Sequence, residues 1–384
     1  MAGRAPPRRR RRPLGPRAGR GGARIDLVAV RRGLPVLTRF AYLNAGTFGP
    51  LPQRTAAAMA EVEERELAEG RAGRAYFEAL IADRGALRTA LGGLVGAPPE
   101  CIALTSSTTE GCNIVLRGLG IGEGDEVVTT DSEHPGLFGG LVTARARLRI
   151  AEIRGRPAAE ALDAVEAQIT PKTRLIALSH VSWHTGAVLP VRELSASGIP
   201  LLVDGAQGAG AIPVDVRELG CDFYTVSGQK WLLGPAATGC LYVREDRLDD
   251  CRVAAPSYLS WQHPEYELVE GATRYEGFLA SASAIAGLLA SIAFADEAGG
   301  ERFAHARAMT ERCRGLLAER GAEVVTEPGQ GTLVSWGADD PPGQVARLGE
   351  QDVVVRDLPG TGWVRASCGF WTSEDDLERL VRGL

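Results

Sequence analysis

The stretch Ile199–Pro235, IPLLVDGAQGAGAIPVDVRELGCDFYTVSGQKWLLGP, places two apolar runs in succession and ends each on residues with chemistry to offer. The first run, IPLLVDG, delivers Asp204. The second, DFYTVS, delivers Ser227-Gly228-Gln229-Lys230. Both are apolar on both faces, the pattern of strands in a parallel sheet covered by helices. In open sheets of that kind, ligands gather at the C-terminal ends of the strands. Asp204 and Lys230 are therefore expected on one rim. A structural ion pair between them would satisfy the same pattern.

Five more runs read as strands: CIALT (101–105), DEVVTTD (125–131), LRIAEI (148–153), TRLIALSH (173–180) and GCLYVR (239–244). With the first two they make an α/β unit around a mostly parallel seven-stranded sheet. Residues 53–95 read as helical, and STTEGCNIVLRGLGIGEG (107–124) as a helix with hydroxyls at its start and glycines at its end. Beyond Gly277 come an Ala/Leu helix and a second helix through residue 319. Short strands follow: AEVVTE (322–327), GTLVSWG (331–337), DVVVRD (352–357) and WVRASCG (363–369). A last helix covers 373–384. The reading is a tail at 1–24, a large α/β domain with an N-terminal arm at 25–277, and a smaller C-terminal α+β domain at 278–384.

Composition narrows the function classes. At 384 residues, 45% apolar and 24% charged, the chain can bury a large core. No apolar run approaches the roughly 20 residues of a membrane helix. Residues 1–24 carry nine Arg and no acid; taking those nine from the net charge of −5 leaves −14 on the other 360 residues. The tail reads as a disordered extension, with nucleic-acid contact or a transit-like role as alternatives. A core of −14 argues against nucleic acid as a partner. Seven cysteines, odd in number and without a C-x-x-C pair, argue against a disulfide framework or a metal site and fit a reducing cytoplasm.

Of 43 basic residues only Lys172 and Lys230 are lysines. Lys172 lies in a polar turn where Arg and Lys are interchangeable. Lys230 does not, and an amine can lose its proton and attack a carbonyl where a guanidinium cannot. Around it the rim offers Asp204, Gln207, the hydroxyls of Ser107, Thr108 and Thr109 at a helix N-terminus suited to phosphate, and His134 in DSEHPG. GLGIGEG (118–124) is not a dinucleotide fingerprint, because it follows a helix and opens a strand. A lysine amine, an acid, an anion site and a flat ring are together the requirements of pyridoxal 5'-phosphate (PLP).

The motifs YLNAGTFGPLP (from Tyr42), STTEGCNIVLRGL, DSEHPG, LSHVSWHTGAVLPV, VDGAQGAGAIPVDV, SGQKWLLGPAATGCLYV and VRASCGFWTSEDDLERL resemble class V aminotransferase-type enzymes of fold type I, the group that contains cysteine desulfurases. Several are most similar to cysteine/cystine C–S lyases and isopenicillin-N-epimerase-like proteins. The resemblance implies a fold type I PLP-dependent transferase, a homodimer and a small amino-acid substrate. It implies that Lys230 carries the cofactor and shuttles the proton, that Asp204 pairs with the ring nitrogen, that Gln207 meets the ring hydroxyl and that His134 stacks on the ring. Thr109 and Ser227, with Ser107, Thr108 and Gln229 nearby, would hold phosphate. Arg365 would clamp the substrate carboxylate, with Asn44, Trp183 and His184 on the substrate wall.

Four departures qualify it. Gln229 replaces the usual His before the lysine, and Trp183-His184 replace the usual Asn. No cysteine precedes the Arg-Ala-Ser strand, where desulfurases present one. Cys368, an odd step from Arg365, should face the core. Leu279 also stands where a partner subunit's phosphate-binding Thr is usual. The expected activity is C–S β-lysis of cysteine, cystine or an S-substituted cysteine. Transamination, epimerisation and desulfuration are the alternatives.

Overall fold

A computed structural model describes residues 25–278 and 280–384. The readings of 1–24 as a tail and of Leu279 lie outside the described residues. The seven expected strands all form: β1 (Ile102–Thr105), β2 (Glu126–Thr130), β3 (Arg147–Ala151), β4 (Thr173–Ser179), β5 (Leu201–Asp204), β6 (Phe223–Ser227) and β7 (Gly239–Val243). They join in the order β1-β7-β6-β5-β4-β2-β3. β7 runs antiparallel to both its neighbours and every other pair in the sheet is parallel. Both faces are buried, as the doubly apolar strands require. On β5, Leu201 and Val203 enter one core and Leu202 the other.

Helices cover the faces. Residues 53–95 split into α1 (Gln53–Glu69) and α2 (Arg74–Val95), because Gly70 and Gly73 turn the chain at φ +78° and +84°, a conformation natural only to glycine. The helix expected over 107–124 stops earlier, as α3 (Thr108–Gly118). α4 (Pro135–Thr143) follows β2. α5 (Ala282–Glu297) sends Ile285, Leu288 and Ile292 into the same core as β5 and α2. α5 thus joins the large sheet's core, while Phe294 and Ala295 at its end meet Phe370 and Trp371 of the smaller C-terminal unit.

That unit contains α6 (Glu301–Glu319), β8 (Leu333–Gly337), α7 (Pro341–Glu350), β9 (Arg356–Leu358), β10 (Trp363–Ser367) and α8 (Glu374–Arg382). Its antiparallel sheet has the order β8-β10-β9. Cys313, Trp336, Val364, Ala366, Cys368 and Leu377 fill its core, with Ala41 and Leu43 from the N-terminal arm. The expected strand over AEVVTE is absent apart from one bridge, Val324 to Trp336. The ladder ends because the Ser335 amide donates to the Thr326 hydroxyl instead of to a backbone carbonyl.

Candidate active site

The C-terminal ends of β5 and β6 bring Asp204 and Lys230 to one pocket, as their strands foretold. Asp204 is paired in register between Ser179 and Thr225 and is buried. One oxygen accepts from the Ala206 amide at 2.9 Å. Burial raises its pKa; Lys230, that amide and the Thr225 hydroxyl oppose the rise. Burial lowers the Lys230 amine to about 8. Asp204 resists that shift, and Arg365 and Arg356 add to it.

Gln207 is used at both ends. Its Oε1 accepts from the Trp231 indole at 2.8 Å, and its Nε2 donates to the Gly46 carbonyl at 2.9 Å. Because the indole can only donate, the amide's orientation is fixed, and the second Nε2 hydrogen remains for the pocket. The Ser227 hydroxyl donates to Gln229 Oε1 at 2.9 Å, tying the turn that carries Lys230.

At the start of α3, Ser107 is the N-cap and its Oγ accepts from the Glu110 amide at 3.1 Å. One of the three hydroxyls is thus spent on the helix. Those of Thr108 and Thr109 have no hydrogen-bond partner among the described residues, so they and the free amides of the first turn can serve an anion. α4 begins alongside: a Cβ at Gly136 would press on the Thr109 hydroxyl, so glycine there lets the two helix starts approach. His134 caps α4 by accepting the Gly136 amide at Nδ1, 3.0 Å, which leaves its proton on Nε2. Burial, then Lys230, Arg356 and Arg365, lower its pKa to about 4, so the ring is neutral. It packs edge-to-face on Trp183, centroids 5.2 Å apart.

Arg365, on β10, is fully buried. Its Nη1 donates to the Trp183 carbonyl at 2.7 Å, while Nε and Nη2 have no partner among the described residues. Gly46 makes its space: a Cβ there would lie 2.6 Å from Nη2. The Trp183 indole Nε1 is also unpartnered. His184 is tied back instead, with Nδ1 3.0 Å from the Ser132 hydroxyl and its carbonyl accepting from Ser335. Of the two residues that replace the usual Asn, Trp183 keeps a buried donor without a partner among the described residues, and His184 is held through Nδ1 and its carbonyl. Asn44 bridges Ser367, and its Oδ1 accepts from Thr47 at 2.9 Å, so it shapes the loop. Cys368 faces the core beside Cys313, as its odd spacing required.

The arm is stitched on both sides. Ala41 and Leu43 donate to the carbonyls of Asp352 and Val354, and the Gly46 amide donates to Ser367 Oγ. The Gly46 carbonyl accepts from Gln207, and the Gly49 amide donates to the Gln229 carbonyl.

Three residues escaped the sequence reading. Glu133 is buried, accepts from the hydroxyls of Thr130 and Ser179 at 2.6 Å each, and is raised to about 7 chiefly by burial. Arg356, on β9, stands directly across from Arg365 on β10 and donates to the Thr47 hydroxyl. Gly46 is the third. In a chain with 41 arginines a further Arg gives no signal, and neither does one glycine among 48.

The family profile "Aminotransferase class-V" matches residues 41–335. The chain is 30% identical to an isopenicillin N epimerase from Streptomyces clavuligerus over 89% of this chain and 93% of that one. It is 32% identical to a probable cysteine desulfurase from Methanothermobacter thermautotrophicus, over 78% of each. Among solved structures it is similar to the cystine C–S lyase C-DES in complex with its reaction product cysteine persulfide, with TM-score 0.85, 29% identity and coverage of 91% and 98%. A C-DES variant with glycine covalently linked to the PLP cofactor gives TM-score 0.86 at 29% identity, covering 92% and 98%. By its sequence and its fold, the chain belongs to the class V aminotransferase family.

Proposed function

We propose that this protein is a PLP-dependent lyase that breaks the Cβ–S bond of cysteine, cystine or an S-substituted cysteine. The residues present fit PLP. A buried carboxylate with one amide donor, a lysine amine depressed to about 8 and two unpartnered hydroxyls at a helix start converge on one pocket. Lys230 would hold the cofactor covalently and Asp204 its ring nitrogen. Thr108 and Thr109, with Ser227 and Gln229 opposite, would hold its phosphate, and His134 and Gln207 would flank the ring. Bound PLP supplies the electron sink for the pair released when the Cα–H bond breaks.

The chain's own groups do the rest. Arg365 offers Nε and Nη2 as a fork to the α-carboxylate, held in aim by the Trp183 carbonyl and by the gap at Gly46. Lys230 Nζ, neutral in an appreciable fraction near pH 7.5, takes the α-proton. The Asp204 carboxylate would hold a proton at the ring nitrogen of the bound cofactor. His134, held neutral by burial, adds no charge to the pocket.

The observation that carries lysis over desulfuration is the placement of the thiols. All seven cysteines are buried. The turn from Leu358 to Trp363 contains none, and Cys368 points into the core. With no thiolate to accept sulfur, the leaving group departs as a small molecule. The near full-length match to an isopenicillin N epimerase favours epimerisation as the second reading. A homodimer and a cytoplasmic location belong to the same proposal. The exposed Phe48 and Leu51 beside the pocket loop support the first, and seven unpaired thiols support the second. No single helix among the described residues is long and apolar enough to cross a membrane.

The test supplies the holoprotein with cystine or an S-substituted cysteine and no keto acid. Sustained release of pyruvate and ammonia is expected. A single turnover that resumes only with added keto acid marks a transaminase. Exchange of the α-hydrogen without pyruvate marks an epimerase.

A further inference from the structure

Glu133 takes no part in the lyase chemistry, yet it is a buried acid near Asp204. Two strand ends set its position. β2 and β4 are neighbours in the sheet, and their register runs from Glu126 opposite Thr173 to Val128 opposite Ile176. Beyond that point side chains join the strand ends. Glu133 Oε1 accepts from the Thr130 hydroxyl and Oε2 from the Ser179 hydroxyl, each at 2.6 Å. Thr130 ends β2, and Ser179 ends β4 in register with Asp204.

The residues on either side of Glu133 are fastened differently. Ser132 Oγ lies 2.8 Å from Ser182 Oγ and 3.0 Å from His184 Nδ1, and the Ser132 amide donates to Thr130 Oγ1 at 3.1 Å. His134 caps α4 and packs on Trp183. The turn from Thr130 to His134 is therefore tied to the end of β4 by Glu133 and to the loop after β4 by Ser132. The two carboxyl bonds fix the chain one residue before the His134 ring.

These bonds do not require a charge. An ionised carboxylate would be repelled by Asp204, whereas an amide at this position could accept from Thr130 through its oxygen and donate to Ser179 through its nitrogen.

We propose that Glu133 is a positioning residue: by bridging the ends of β2 and β4 it holds the His134 ring against the cofactor, and it acts through its hydrogen bonds rather than its charge. This rests on the reading of the pocket as a PLP site.

The test titrates cofactor-free protein with PLP, followed by visible absorbance and circular dichroism. E133L leaves both hydroxyls buried without their acceptor and should weaken PLP binding about tenfold, the scale of a lost buried hydrogen bond. E133Q keeps both bonds and should stay within about threefold of wild type. In an H134A background E133L should loosen PLP no further while still lowering the melting temperature, because its route to the cofactor is already gone. Losses that add in the double variant overturn the proposal, and so does an E133Q as weak as E133L. T130V and S179A each delete one bond and should show smaller losses of the same kind. Unchanged PLP affinity in both overturns the proposal even where E133L does not fold.

A second readout needs no cofactor. In protein labelled with ¹³C at histidine Cε1, the resonance missing from H134A is that of His134. It should shift or broaden in E133L and T130V, while those of His263, in an exposed turn, and His305, on α6, stay in place. If wild type takes up no PLP, the cofactor reading fails and this shift still sustains Glu133's hold on His134. An unmoved His134 resonance overturns it.

Discussion

The rim of the large sheet and the strand pair of the smaller unit face the same pocket under opposite conditions. On the sheet rim three groups that fix the site's geometry are answered within the protein: Asp204 by the Ala206 amide, Gln207 by Trp231 and Gly46, His134 by the Gly136 amide. On β9 and β10 two guanidiniums stand opposite one another without an acid, and one has buried nitrogens with no partner. Satisfied groups fix geometry before anything binds. Unsatisfied ones store a demand that a ligand of the right charge relieves. The rim accordingly suits a resident cofactor, and the strand pair suits a substrate that arrives and leaves.

The sharpest way to break this contrast is on the rim. Lys230→Ala should abolish turnover. Borohydride should fix the cofactor on the peptide containing Lys230 in wild type and leave no label in the variant. A label at Lys172 would displace the whole assignment. Asp204→Ala should cost at least about a hundredfold in kcat, as removal of a preorganised electrostatic partner does, while the protein still retains cofactor by absorbance. Turnover near wild type would place the electron sink's support elsewhere.

On the strand-pair side a single methyl group is enough. Gly46→Ala would bring a carbon within 2.6 Å of Arg365 Nη2. Displacing the fork should raise KM about tenfold, with kcat less affected, since a misplacement of about 1 Å is costly in a positioned site. An unchanged KM would mean that Arg365 is not the carboxylate clamp.

The smallest effects are those of pH, and they bear on the rim, where burial depresses the imidazoles and Lys230. Burial lowers His134, His180 and His184 to about 4 each. Unfolded, these rings bind protons near pH 6.5, so stability falls as pH drops from about 6.5 to 4. His184→Gln should flatten part of that fall in a melting series. Lys230, also depressed, works on the alkaline side: in the cofactor-free protein its buried ammonium is destabilising up to about pH 8, and stability recovers as pH rises from there toward 10.5.

The same division explains what could be read from sequence. Lys230 and Asp204 were legible because chemistry limits which residues can serve and because each ends a strand apolar on both faces. The seven strands were legible for that second reason. Arg356 was not, since arginine is this chain's default cation and only the β9–β10 register reveals that it faces Arg365. Ser107 looked like one of three phosphate ligands, but local capping claimed it. AEVVTE has strand composition, yet the Thr326 hydroxyl takes the amide that would have continued the ladder. Side-chain competition of that kind leaves no periodic trace.

The arm from Ala41 to Gly49 carries a consequence for the order of the chain. It precedes the large sheet in sequence but pairs with strands from the other end of the protein, then crosses back to Gln207 and Gln229. The site is therefore closed by joining residues more than 300 positions apart, and neither unit can finish it alone. A circular permutant opened between Tyr42 and Gly49 should keep both cores intact and still lose substrate affinity, whereas one opened at the Gly70–Gly73 turn should tolerate the cut.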